Sequence, residues 1–231
     1  MALFIVGSYK ASPYDPDSAF DPDSAFDPVT HVATEAAFIQ LLQHGVYDSK
    51  YIGYKVQLGN SVDYNNGLWV IADVNHDSAN TGQTNCYDLI SEDVFHSGAF
   101  GNSQNWRSST IRSWLNATFI GGFDSIYEHL INPKYNSQGT WYTNDTIIIP
   151  SATEANISGY SNLDIEGVSY PIFTDNTSRI KKEFGGTDNW WWLRTRRTDL
   201  SSRDWFVGAS GAFGTTDISS SGRIACILRV H

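Results

Sequence analysis

From residue 34 onward, short runs with helical or strand periodicity alternate with stretches of Gly, Ser, Thr, Asn and Asp. Ala37, Phe38, Leu41 and Leu42 recur at helical spacing between Thr34, a suitable N-cap, and Gly45, a suitable stop, which predicts a first helix over 34–44. Ile52, Tyr54, Val56 and Leu58 alternate with other residues, and an apolar-rich run over 68–74 follows Asn65-Asn66-Gly67, predicting two strands around a hairpin turn. Ile111, Trp114, Leu115 and Phe119 follow the i, i+3, i+4, i+8 pattern behind Ser108 or Ser109 as cap, which predicts a second helix. A third is predicted where Ser125 and Glu128 form a capping box, Ile126, Tyr127, Leu130 and Ile131 supply an apolar stripe, and Asn132-Pro133 closes it.

Beyond Ile147-Ile148-Ile149-Pro150 the pattern changes to short strand-like runs among turn-forming residues, as in an irregular, loop-heavy β region. Trp190-Trp191-Trp192-Leu193-Arg194 opens the final section, a polar, Gly-rich stretch follows to Ser221, and residues 222–230 read as a terminal strand. At the other end, residues 15–28 spell Asp-Pro-Asp-Ser-Ala-Phe twice and then Asp-Pro, a turn-favouring, Pro-punctuated segment. Two copies fall short of the three that a stacked array needs, so this is a loop or arm. The expected organisation is an N-terminal segment, 1–47, carrying the repeat and one helix, followed by a domain over 48–231.

Composition narrows the function. The 231 residues suffice to bury roughly 70–75% of the surface of the unfolded chain. Charged residues are only 17%, against 8 Trp, 12 Tyr and 12 Phe, so aromatic packing carries the core. The net charge of -10 is dispersed, which disfavours phosphate backbones and anionic lipid surfaces: no nucleic acid is expected as partner. Membrane insertion is not expected either, since no run approaches 18 apolar residues, and residues 1–7 lack the basic flank and apolar length of a secretion signal. Cys86 and Cys226 allow at most one disulfide, and both readings, two buried thiols or one bridge, stay open.

No catalytic or metal centre is legible. His31, His44, His76, His96, His129 and His231 are scattered without a ligand spacing. Neither the Glu-Pro-Asn or Gln-Pro-Asp loop nor the Trp-Asn-Asp strand of calcium-dependent sugar binding occurs; Asp188-Asn189-Trp190 has the residue types in reverse order. The stretch 208–214 lacks the Lys-Ser/Thr of a phosphate loop, and Gly208-Ala209-Ser210-Gly211 is not Gly-x-Ser-x-Gly. No cofactor is expected. Sequons at Asn116, Asn144, Asn156 and Asn176 are what an Asn- and Thr-rich chain produces by chance.

Three places carry a resemblance: Ser108 to Asn116 with Phe119 and Phe123 after it, Trp-Trp-Leu-Arg at 191–194, and Gly-Arg-Ile-Ala at 222–225. In this order they resemble the C-type-lectin-fold proteins related to formylglycine-generating enzymes, and within them the variable proteins of diversity-generating retroelements. The resemblance spans about residues 48–231 and implies an α+β, C-type lectin fold with two main helices, a small antiparallel sheet and long irregular loops. It also implies a variable region at the chain end, 190–231, rewritten at template adenines. Asn codons changed in this way reach many residues but never Lys, Glu, Gln, Met or Trp.

The tail agrees with that rule. Residues 1–189 hold 18 Lys, Glu and Gln together and 16 Asn, so 42 residues of the same composition would hold about four of each, whereas 190–231 hold none. A β-rich, low-charge tail also produces such depletion. By the resemblance, Trp190, Trp191, Trp192 and Trp205 are fixed supports, with Arg194 as part of the scaffold strand, each Trp burying on the order of 150–250 Å². The display positions are then Thr195, Arg197, Asp199, Leu200, Ser201, Ser202, Arg203, Asp204, Ala209, Ser210, Ala212, Phe213, Thr215, Thr216, Asp217, Ser219, Ser220 and Ser221. A stiff support lowers the roughly 0.5–1.5 kcal/mol lost per side chain ordered on binding.

The expected function is non-enzymatic recognition of a protein or glycan on a cell surface by a diversified face. The expected location is a virion surface such as a phage tail, or a microbial cell surface, with a homo-oligomer among the open arrangements. A fixed-specificity lectin-like adhesin is the alternative. A formylglycine-generating type of enzyme is the third reading, for which the chain offers no matching cysteine pair.

Overall fold

A computed structural model describes residues 20–65 and 67–231. In chain order its strands are β1 Val32–Thr34, β2 Lys55–Gln57, β3 Leu68–Val74, β4 Tyr87–Ser91, β5 Phe95–Gly98, β6 Leu130–Ile131, β7 Tyr135–Ser137, β8 Thr140–Tyr142, β9 Ile147–Ile148, β10 Lys181–Lys182, β11 Asp188–Asn189, β12 Trp191–Arg196, β13 Arg203–Val207, β14 Phe213–Asp217, β15 Gly222–Ile224 and β16 Ile227–Val230. The α-helices among the described residues are α1 Glu35–Gln43, α2 Ser78–Thr81 and α3 Thr110–Ala117.

The two strongest periodic segments fold as read. Thr34 caps α1, its side chain accepting from Ala37 N, and Phe38, Leu41 and Leu42 form the buried face. Ser109 caps α3 by accepting from Arg112 N, and Ile111 and Leu115 face the core. The expected third helix does not form. Ser125–His129 is a 3-10 turn without a side-chain cap, and Leu130-Ile131 leave it to pair with β16 as β6. Pairing along a sheet edge satisfies their backbone groups where Asn132-Pro133 already forbids another helical turn.

This overturns the expected α+β lectin architecture. Of the described residues 31% are in strands or bridges and 20% are helical, with several sheets, including a curled half-barrel, in place of one small sheet. The larger sheet runs β1-β2-β3-β4-β16-β6, with β9 also on β16; the second runs β14-β13-β12-β15-β5. Both mix directions, since β1 is parallel to β2 and β12 is parallel to β15. The expected terminal strand is two: β15 belongs to the second sheet and β16 to the first, and the buried Ala225-Cys226 between them carries the chain across. The β2–β3 hairpin exists, but residues 58–67 intervene in place of a tight turn. One hydrophobic cluster spans both sheets and both longer helices.

The boundary expected at residue 47 falls inside this structure, because β1 pairs with β2 and α1 packs into the shared core. The second hexapeptide is docked, not a free arm. Pro22–Ala25 make a 3-10 turn, and the Phe26 ring lies 4.8 Å from that of Tyr51 and 5.1 Å from that of Tyr54. Asp23 accepts from the Tyr51 hydroxyl at 2.6 Å and pairs with Lys50 at 2.7 Å. Residues 15–19 of the first copy, and residues 1–7, lie outside the described residues.

A candidate ligand-binding cleft

The site is built on β12, whose side chains are tied on both faces. Trp191 and Trp192 are buried, their indole N–H groups donating to Arg179 O at 3.2 Å and Gly98 O at 3.1 Å. Arg194 is buried against Glu154, and its ring-stacking neighbour is Tyr135. Neighbouring β13 adds Trp205, 5% exposed. Trp190 is the exception among the expected supports: it is half-buried, with its ring edge-on to Trp192 at 5.0 Å and Phe206 at 5.2 Å.

Two loops close on this platform. Residues 160–164 are fastened to the end of β12 by the Leu163–Arg197 bridge, by Thr198 N donating to Asn162 O at 3.2 Å and by an Arg196–Asp164 ion pair at 3.0 Å. The turn between β13 and β14 is tight, with Gly208 N donating to Ala212 O and Gly211 N to Gly208 O. Gly211 sits at φ +74°, and a Cβ there would lie 1.6 Å from Asn176 O, so only glycine lets the second loop approach. Arg179 Nε fixes that loop by donating to Gly211 O at 3.1 Å.

Between these elements lies a cleft of about 470 Å³, lined by Tyr160, Asn162, Asn176, Arg197, Trp205, Ala212, Phe213, Gly214 and Thr215. Its apolar wall is an aromatic cluster: the Tyr160 ring is 4.6 Å from Phe213, edge-on, and 6.0 Å from Trp205. Tyr160 remains 48% exposed. Its polar wall centres on Arg197, which grips Asp199 through Nε at 2.6 Å and Nη2 at 2.9 Å and donates from Nη1 to Thr215 Oγ1 at 2.8 Å. The hydrogen bonds from Arg197 hold the Asp199 carboxyl at about 2, so the pair stays ionised and mutually neutralised at ordinary pH.

Of the expected display positions, Arg197, Ala212, Phe213 and Thr215 line the cleft, with Asp199 bound to Arg197. Ala209 and Ser210 are exposed at the turn beside it. Leu200, Ser201 and Ser202 between β12 and β13, and Arg203 at the start of β13, are exposed and away from the lining. Thr216 bonds Ser220 at 3.1 Å, Asp217 accepts from Ser219 N, and Ser221 meets Ser97 at 2.7 Å, so this group belongs to the opposite end of β14.

Thr195 and Asp204 are corrections: both are 0% exposed and cannot be displayed. Thr195 Oγ1 accepts from Ala152 N at 2.8 Å and donates to Glu166 at 2.9 Å, a structural role in the anchoring of β12. Asp204 sits in mid-sheet between Arg196 and Thr216; one oxygen accepts from Trp205 N, the other has no partner, and burial pushes its carboxyl well up. Tyr160, Asn162 and Asn176 were not expected at all. The one signal for them was an aromatic residue isolated within a Gly-Ser-Asn loop, which has no periodicity to read.

Cys86 and Cys226 are free, buried thiols; burial pushes the first up to about 11 and the second well above its ordinary value. Among the described residues no group of three or more His, Cys, Asp and Glu is placed to hold a metal ion, and no helix is long and apolar enough to cross a membrane.

Residues 85–230 match the family described as a domain of unknown function, DUF6273. The chain belongs to this family. The matched span opens just before β4 and ends in β16, so the DUF6273 region contains the whole second sheet, both loops and every residue of the cleft. No curated protein and no solved structure matches the chain.

Proposed function

We propose that this DUF6273 protein is a non-enzymatic ligand-binding protein, which recognises a protein or glycan on a cell surface through the cleft walled by Tyr160, Phe213 and Arg197. The positions of the tail that stay accessible, 197, 199–203, 209, 210, 212, 213, 215–217 and 219–221, are its diversified set, rewritten by a retroelement, and the protein acts from a virion or microbial surface. The observation that carries this reading is a coincidence. The tail that holds no Lys, Glu, Gln or Asn supplies Arg197, Ala212, Phe213 and Thr215 to the cleft, around the buried Trp205, which also lines it. Side chains on such a support can change without repacking a core.

The encoding locus provides the test. A near-identical repeat whose adenine differences fall on the exposed positions is the expected result; a repeat confined to buried positions such as Thr195 and Asp204, or no repeat, removes diversification. A fixed-specificity adhesin using the same cleft is then the better reading. One observation favours it already: Arg197, Asp199 and Thr215 interlock side chain to side chain, a trio that independent rewriting of three codons would break.

A further inference from the structure

We infer that the cleft takes a neutral sugar ring, and that its class is set by the wall made of Tyr160, Asn162 and Asn176, which lies outside the 190–231 tail. The inference rests on the proposed ligand-binding role and adds the chemistry of the ligand. Among the described residues Arg197 is the only formally charged one in the lining, and Asp199 already neutralises it side-on through two hydrogen bonds. An anionic ligand would have to displace Asp199, and the chain as a whole, at -10, repels it. A cationic ligand finds no free carboxylate in the lining.

Apolar and polar groups alternate around the cleft in the pattern of a sugar site. The Tyr160 ring, half exposed and edge-on to Phe213, offers an aromatic face of the kind on which the C–H side of a pyranose lies flat. The two amides are used in opposite senses by the protein itself. Asn162 spends its N–H on Asp199 at 3.3 Å and keeps its carbonyl oxygen, an acceptor. Asn176 spends its carbonyl oxygen on Arg179 and keeps its NH₂, a donor. A free acceptor and a free donor beside an aromatic face match vicinal hydroxyls, each of which both gives and takes a hydrogen bond. The volume, about 470 Å³, lies within the range of small-ligand sites, roughly 300–1,000 Å³. A peptide would use the site differently: it would add to β14, the edge strand of the second sheet, and leave these three side chains idle.

The division of labour follows. Phe213, Thr215 and Ala212 from the tail select the linkage or substituent, while the Tyr160 wall holds the ring in every version of the protein.

The full-length protein is titrated against a panel of neutral oligosaccharides of glucose, galactose, mannose and N-acetylhexosamines, with saturation-transfer NMR to identify the contacting protons. The expected result is binding by ring C–H protons at a Kd that changes less than about twofold between low and high salt, because no charge is exchanged. Tyr160→Ala weakens it by about tenfold or more, Asn176→Ala by about fivefold, and Tyr160→Phe retains it, with thermal unfolding unchanged because Tyr160 is exposed. No binding across the panel, or binding indifferent to Tyr160→Ala and Asn176→Ala alike, overturns the inference. If a protein ligand is found whose binding needs Phe213 and Thr215 but not Tyr160, the ligand-binding role stands and the sugar assignment alone falls.

Discussion

Arg194 and Glu154 form a two-pronged buried ion pair, each terminal nitrogen of the guanidinium meeting a different carboxylate oxygen at 2.5 Å. Nη1 also donates to Ile149 O at 2.7 Å, while Glu154 accepts from Ser151 N at 3.0 Å. The pair therefore staples β12, and with it the tryptophan platform, to the loop over 149–154. Removing one partner of such a pair strands a charge out of water and costs roughly 3–5 kcal/mol. Arg194→Ala and Glu154→Ala should each lower the unfolding free energy by that much, read from urea titrations, and the double replacement Arg194→Met with Glu154→Leu should cost less than either. Equal, small effects from all three would mean that water enters this site.

Gly211 gives a test of how the second loop is positioned. A side chain there meets two penalties, the positive φ of +74° and a collision with Asn176 O. Gly185, at φ +75°, has open space around its would-be Cβ and so reports the first penalty alone. Gly185→Ala should cost about 1 kcal/mol and Gly211→Ala about 1–3 kcal/mol more, with ligand binding lost only in the second. Matching stabilities for the two would place the loop elsewhere.

Legibility followed the physics of local against distant interactions. Thr34 with Phe38, Leu41 and Leu42, and Ser109 with Ile111 and Leu115, are local caps and faces, and both helices form as their spacing implies. Ser125 and Glu128 offer the same local signal, yet Leu130 and Ile131 answer to β16, a hundred residues away, and no window on the sequence sees that edge. The switch of sheets at Ala225-Cys226 is equally silent, since two small buried residues look like the middle of a strand. In the site, the tail half of the cleft was readable because it is contiguous. Tyr160, Asn162 and Asn176 come from loops whose position is set by Leu163, Asp164 and Arg179, contacts that only the folded chain makes.

The display positions themselves divide by burial. Substitutions at Ala209, Ser210 and Ala212 should stay within about 0.5 kcal/mol of the parent, as exposed positions away from special contacts do. Thr195→Val, which removes one hydroxyl and orphans Ala152 N and a Glu166 oxygen, should cost about 1–3 kcal/mol. A library sorted for folded protein on a cell surface checks both at once: free variation at 195, or restriction at 209, 210 and 212, would contradict this division.

Glu166 dominates the pH dependence of stability. It is buried against Thr195 and Gln138, and desolvation pushes its carboxyl up to about 7 in spite of the Arg194 charge 4.0 Å away. In the unfolded chain it titrates near 4.5. Between those values the folded state holds a proton that the unfolded state has released, so stability falls as pH rises from about 4.5 to 7 and is level above, by on the order of 3 kcal/mol in all. Asp204, raised by burial, acts in the same direction. Asp88 acts in the opposite one: paired with Arg229 its carboxyl is lowered, so its stabilisation is present above its ordinary 3.8 and is lost in stronger acid. Urea midpoints should therefore peak near pH 4–5, and Glu166→Gln should flatten the descent toward neutrality while leaving the acid limb in place. A parent protein more stable at pH 7.5 than at pH 5, with the Gln variant running parallel to it, would show that Glu166 is ionised and hydrated in the folded state.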